Sequence, residues 1–159
     1  MTTLSPSGAG VSLRPATPAD LTTLMRFIRN YFAFDHLDFD AKAIRSGLRE
    51  LLKNRSVGQA FLVISNSSPA GYTILIDSFD LEFGGHVAFV TDLYLEPACR
   101  RRGIGTEIMK RLEQFCRRQG VKTIELQAER RNRAALSFYR RLGFRRHDRV
   151  ALSKRLKNR

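Results

Sequence analysis

Cysteines and long apolar runs are what this chain has least of. Its 159 residues hold two cysteines, Cys99 and Cys116, too few for a disulfide framework, and no Cys/His cluster has metal-ligand spacing. Cys116 falls on the apolar side of a helical pattern and reads as a small core residue. Cys99 stands just before three arginines and reads as a loop bystander. No apolar run is long enough to span a bilayer, and the first residues lack a charged stretch followed by an apolar one. The expectation is therefore a soluble, cytoplasmic protein with no metal and no membrane partner. No repeat is evident, and the length suits one domain with a real core.

Acidic residues are scarce in one half only. Residues 97–159 carry 20 Lys/Arg and 5 Asp/Glu, a charge of +15, whereas residues 1–96 carry 8 and 10, a charge of −2. The chain's net charge is +13. A basic C-terminal half suits a ligand with several phosphates, and nucleic acid or a ribosome is a competing partner for it. There is no zinc-finger or RNP-type motif, and no basic-aromatic run suited to stacking a nucleic-acid strand.

The chain is organised around Val90–Phe144, which reads as strand, Arg/Gly loop, helix, strand, helix. Glu96-Pro97 ends the first strand, because proline has no N–H for a ladder. Arg100-Arg101-Arg102-Gly103-Ile104-Gly105 opens into a helix with apolar residues at Ile104, Ile108, Leu112 and Phe115, one buried face at helical period. A glycine-containing loop feeding a helix N-terminus offers free backbone N–H groups and the positive end of the helix dipole to a phosphate. Gly120 suits a helix C-cap, and Ile124, Leu126 and Ala128 alternate as a strand. Asn132 begins a second helix that ends at Gly143, with Tyr139 two turns along the same face.

Ahead of this stretch, residues 1–10 read as a disordered leader and Val11 to Arg14 as a first strand. Thr17-Pro18-Ala19-Asp20 is a helix start, followed by an apolar stripe at Leu21, Leu24, Met25, Ile28, Tyr31 and Phe32. Asp40 can cap a second helix with buried positions Ile44, Leu48, Leu51 and Leu52. Strands are expected at Gln59 to Ile64, Gly71 to about Phe79 and Val87 to Leu95, with a turn at Asn66-Ser67-Ser68-Pro69. A last strand is expected near Val150–Leu152. The resulting class is α/β, one domain over residues 11–153 with a mixed sheet flanked by helices, in the order β-α-α-β-β-β-α-β-α-β, and then a basic tail at 154–159.

Two motifs in this order resemble the GNAT superfamily of N-acetyltransferases. That family's loop, (Arg/Gln)-x-x-Gly-x-(Gly/Ala), is matched by Arg100, Gly103 and Gly105. Its later signature is matched by Asn132, Ala135, Phe138, Tyr139, Gly143 and Phe144. The resemblance implies acetyl-CoA as cosubstrate, with pyrophosphate on the backbone from Arg101 through Arg102, Gly103, Ile104 and Gly105 to Thr106. It also implies pantetheine along Leu93-Tyr94-Leu95, near Asn132 and Ala135. Tyr139 becomes the candidate acid for the departing thiolate.

Transfer to an amine also needs a base, since an aliphatic ammonium has a pKa of ~10. Many relatives carry a Glu on the strand before the loop. Here Asp92, Tyr94 and Glu96 share a strand face, and Asp92 is the first choice, directly or through water, with Glu96 as alternative. For the acceptor, the resemblance points to the region of Phe34, Asp35 and Asp38, whose aromatic and acidic side chains suit a cation. Asp92 and Glu96 join them as candidate acceptor contacts. The expected function is acetyl transfer to a primary amine, a small cationic molecule by preference. A protein N-terminus or lysine, a basic nucleic-acid-binding module, a CoA-binding protein without catalysis, and a homodimer all stay open.

Overall fold

Arg14 and Asp20 fix the entry to the first helix. In the computed structural model, which describes residues 10–156, Arg14 Nη2 and Nη1 donate to the two Asp20 oxygens at 2.7 and 3.0 Å. Asp20 also accepts from the Thr17 N–H at 2.8 Å. The Arg14 guanidinium is the main cause holding the Asp20 carboxyl below its usual range. This knot joins β1 (Val11–Pro15) to a 3-10 turn at Pro18–Asp20, and α1 (Leu21–Phe34) follows. The helix buries Leu24, Met25 and Ile28, as their spacing predicts, and also Phe27, which lies outside the predicted stripe. Asp40 caps α2 (Ala41–Lys53) as expected, its Oδ1 accepting from the N–H groups of Lys42 and Ala43, each at 3.0 Å.

Strands β2 (Gly58–Ser65) and β3 (Ser68–Asp80) form a hairpin. Its two turn residues, Asn66 and Ser67, take φ of 48° and 63°, the left-handed pair that matches the twist of antiparallel strands. β4 (Gly85–Leu95) returns antiparallel to β3. After it come α3 (Ile104–Arg118) and β5 (Thr123–Leu126), which pairs parallel to β4. The sheet order is β1-β2-β3-β4-β5, the expected mixed sheet. Gly71 is required where it stands, since a Cβ there would collide with the Tyr94 carbonyl oxygen on the neighbouring strand.

Strand alternation gives the sheet two apolar faces. Ala60, Leu62, Tyr72 and Tyr94 join the buried cluster that contains the α1 residues and Leu48. Phe61 meets Phe115 of α3 edge-on at 5.3 Å, and α3 buries Ile108, Met109, Leu112 and Cys116. Burial pushes the Cys116 thiol up to about 11, consistent with a packing role.

The chain divides into two compact units, Met1–Gln127 and Ala128–Arg159. The second is built on α4 (Arg133–Arg141), whose N-terminus is capped by Asn132 Oδ1 accepting from the Ala135 N–H at 3.0 Å. Gly143, at φ 92°, ends it, and the Phe144 N–H donates to Tyr139 O at 3.1 Å. Two expectations are corrected. β5 stops at Leu126 and does not reach Ala128, and Val150–Leu152 is not a strand. Val150 and Leu152 are 73% and 90% exposed, and three small or apolar residues set among charges have too little surface to bury to hold a strand. The leader expected at residues 1–10 lies almost wholly outside the described residues, as do positions 157–159 of the tail.

Candidate active site

The β4–β5 ladder runs from Val87↔Thr123 to Val90↔Leu126 and ends there, whereas β4 stays paired to β3 as far as Gly71↔Leu95. Leu93, Tyr94 and Leu95 therefore lie on a strand held on one side and without a β5 partner on the other. A bulge marks the point of divergence: Leu75 faces Val90 and Ile74 faces Asp92, so Thr91 is an extra residue on β4. A bulge redirects side chains, and this one lies beside the candidate base.

The loop that follows has the geometry of an anion cradle. Arg101 takes φ 58° and Gly103 φ 76°, after an extended Arg100 and ahead of α3. Gly103 is the N-cap of α3 and supplies no side-chain cap to the N–H groups of the first turn, from Ile104 through Gly105 to Thr106. A Cβ at Gly103 would meet nothing within 4 Å. Arg101 and Arg102 are exposed. Arg100 does something else. Its Nε donates to Leu95 O at 2.8 Å, and its guanidinium lies 4.7 Å from the Phe34 ring centre and 5.5 Å from that of Tyr94.

On the α1 side of the sheet, Asp92 sits above a cavity of about 400 Å³. Its walls are Ile28 and Phe32 from α1, Ile44, Gly47, Leu48, Glu50 and Leu51 from α2, Val57, and Ile74, Ile76 and Thr91 from the strands. Asp92 Oδ1 accepts from the Tyr72 hydroxyl at 3.4 Å, and Oδ2 from Thr91 Oγ1 at 2.9 Å. Burial raises the Asp92 carboxyl above its ordinary range, the two hydrogen bonds pulling the other way. Burial, with Asp92 next, pushes the Tyr72 phenol up as well.

The other expected residues are placed elsewhere. Glu96 Oε1 pairs with Arg26 Nη1 at 2.6 Å, and its Oε2 accepts from the Tyr94 hydroxyl at 3.2 Å. Phe34, Asp35 and Asp38 are outside the lining of this cavity, whose two carboxylates are Asp92 and Glu50. In the second unit, the Asn132 carbonyl is occupied in capping α4, with Ala135 as its donor. Tyr139 lies between Phe138 and Phe144, at 5.1 and 5.6 Å between ring centres.

Gly47, Glu50, Thr91 and Tyr72 escape sequence reasoning. Tyr72 could have been reached by counting strand alternation outward from the turn at Asn66-Ser67. The bulge at Thr91 leaves no local signature. Among the described residues, no group of three or more His, Cys, Asp or Glu could hold a metal, and no helix is long and apolar enough to cross a membrane.

Comparison with known proteins bears on the same features. The pattern of the acetyltransferase (GNAT) family matches residues 22–144. An uncharacterized N-acetyltransferase of Methanocaldococcus jannaschii, MJ1207, is 25% identical over 138 residues, 84% of this chain. The chain spans 60% of that relative's length. Thialysine N-epsilon-acetyltransferase of Mus musculus is 25% identical over 150 residues, covering 85% of this chain and 84% of the relative. Among solved structures, aminoglycoside N-acetyltransferase AAC(6')-Iy in complex with CoA matches with a TM-score of 0.78 at 16% identity, over 96% of this chain and 99% of that one. At that identity the likeness is one of fold. With a family match across both motifs and a sheet that opens beside an uncapped helix, the chain belongs to the acetyltransferase (GNAT) family of N-acetyltransferase enzymes.

Proposed function

We propose that the protein moves an acetyl group from acetyl-CoA to a primary amine by direct attack. The observation that carries this reading is the uncapped N-terminus of α3, set behind a loop with two left-handed residues and next to a strand whose β5 edge is released. A cradle of backbone N–H groups, with Arg101 and Arg102 exposed on it, fits a pyrophosphate. The segment Leu93–Leu95 would hold the pantetheine arm by strand-like hydrogen bonds. The solved fold relative bound to CoA supports the donor, and relatives named for N-acetylation support a nitrogen acceptor.

The donor's thioester supplies the acyl group. In the transfer, the nitrogen–acyl bond forms as the carbon–sulfur bond breaks. Asp92 takes the surplus proton of the amine, directly or through water. Its raised pKa makes it a stronger base than an ordinary carboxylate. We assign the Tyr139 hydroxyl as proton source for the departing sulfur, on its place in the Phe-Tyr signature. Glu96, already paired with Arg26, is the weaker candidate for base.

Thermal melts with saturating acetyl-CoA test the donor site, because a ligand bound only by the native state raises its stability. The wild type should shift upward by several degrees. Gly103→Glu places a negative side chain in the cradle without a steric clash, at a cost of about 1–2 kcal/mol for the left-handed backbone. It should fold and lose the shift. No shift in the wild type would reject the site.

A further inference from the structure

The cavity beside Asp92 has a composition that selects among amines. Ile28, Phe32, Leu48, Leu51 and Ile74 give it apolar walls from two helices and the sheet. It has two carboxylates: Asp92, mostly buried on β4, and Glu50, exposed on α2. A buried ammonium needs a charge partner or several hydrogen bonds, and an apolar wall supplies neither. A polyamine or amino-sugar entering here would pair one ammonium with Asp92 and a second with Glu50 at the exposed rim, and its further polar groups would lie against Ile and Leu side chains. Its volume, about 400 Å³, lies within the range of small-molecule sites.

Gly47 points the same way. It stands in the middle of α2, where glycine is a poor helix former. Its φ is not left-handed, and a Cβ there would meet nothing within 4 Å, so neither backbone nor packing calls for glycine. Gly47 is exposed and lines the rim of the cavity, and what its missing side chain provides there is room for a ligand to enter.

We propose that the acceptor is a primary amine borne on a single apolar body, an alkylamine or arylalkylamine, with its nitrogen at Asp92 and its body accommodated beside Gly47. This rests on the acetyl-transfer reading above and narrows its acceptor class. It departs from a cation held by Asp35 and Asp38, which lie outside the cavity lining.

The test combines a substrate panel with direct binding. Release of CoA from acetyl-CoA should show kcat/KM for hexylamine and 2-phenylethylamine at least tenfold above ethylamine and spermidine. Calorimetry on the protein alone should rank 2-phenylethylamine above spermidine. Gly47→Leu should keep or raise the Tm, and it should lower the ratio of kcat/KM for 2-phenylethylamine over ethylamine at least tenfold. Preference for spermidine, or no amine binding at all, would overturn the proposal, and an unchanged ratio in Gly47→Leu would remove Gly47 from it. The acetyl-CoA melt separates the two readings. Binding of 2-phenylethylamine without a donor shift rejects the donor site alone, whereas a donor shift with spermidine preferred rejects this acceptor class alone.

Discussion

The Tyr72 hydroxyl donates to Asp92 Oδ1 at 3.4 Å across the β3–β4 pair, placing a buried phenol against a partly buried carboxylate. The two partners come from neighbouring strands 20 residues apart. Asp92 is thereby oriented, with Thr91 Oγ1 on its other oxygen, while burial keeps its pKa above the ordinary value. A base so placed is strong for a carboxylate and costly to the fold when ionised.

Asp92→Asn should lower turnover about 10²-fold or more, as expected for loss of a general base. The sign of the stability effect is opposite. A carboxyl with a raised native pKa binds its proton more tightly folded than unfolded, so stability declines as pH rises from the unfolded value of 3.8 through the native one. The variant should lack that decline and be no less stable than wild type at pH 7. Chemical denaturation across pH 3–8 measures it. A variant with near-normal turnover would remove Asp92 from the mechanism.

Glu96→Gln should reduce turnover far less than Asp92→Asn. Its carboxylate is held by Arg26, whose side chain is 56% exposed, so the ion pair contributes less than about 1 kcal/mol. Parallel kcat and melting measurements on the two variants decide which acid takes the proton. A larger loss in Glu96→Gln would reverse the assignment.

Tyr139→Phe should lower kcat about 10²-fold while changing donor affinity by less than about threefold, since a proton to the leaving sulfur is needed in the transition state. The ring contacts with Phe138 and Phe144 survive the change. Single-turnover rates with calorimetric donor affinities test the split, and unchanged single-turnover chemistry would leave Tyr139 a packing residue.

Asp20→Asn should destabilise the fold by about 1–2 kcal/mol at neutral pH, the loss of a charged pair discounted for the partial exposure of Arg14. The Asp20 pKa is depressed, so its contribution is present above the unfolded value of 3.8 and fades as pH falls through the native one. Wild type and variant should therefore converge in stability in acid. Urea melts at pH 7 and pH 2.5 would show it, and a constant difference would mean that Arg14 does not hold the carboxylate.

Much of this molecule was already determined by its sequence, wherever a residue acts on neighbours a few positions away. Asp40 caps α2, Asn132 caps α4, Gly103 begins α3 in a left-handed conformation, and Thr17 with Asp20 turns the chain into α1. Caps and helical periods are satisfied within three or four residues, so the pattern alone is sufficient for the order of elements as far as α4 and for the turn into α3. Tertiary structure decided the rest. Ladder register placed the bulge at Thr91 and put Tyr72 on Asp92. A contact over 70 positions gave Glu96 to Arg26, and the packing of α1, α2 and β3 brought Gly47 and Glu50 to the same cavity as Asp92. Val150–Leu152 is a short apolar run that lacks a partner ladder, and a lone short strand has nothing to hold it. Charge followed the same rule. The acidic excess of the first 96 residues is readable from composition, but which carboxylates face a cavity depends on pairings between residues far apart in the chain.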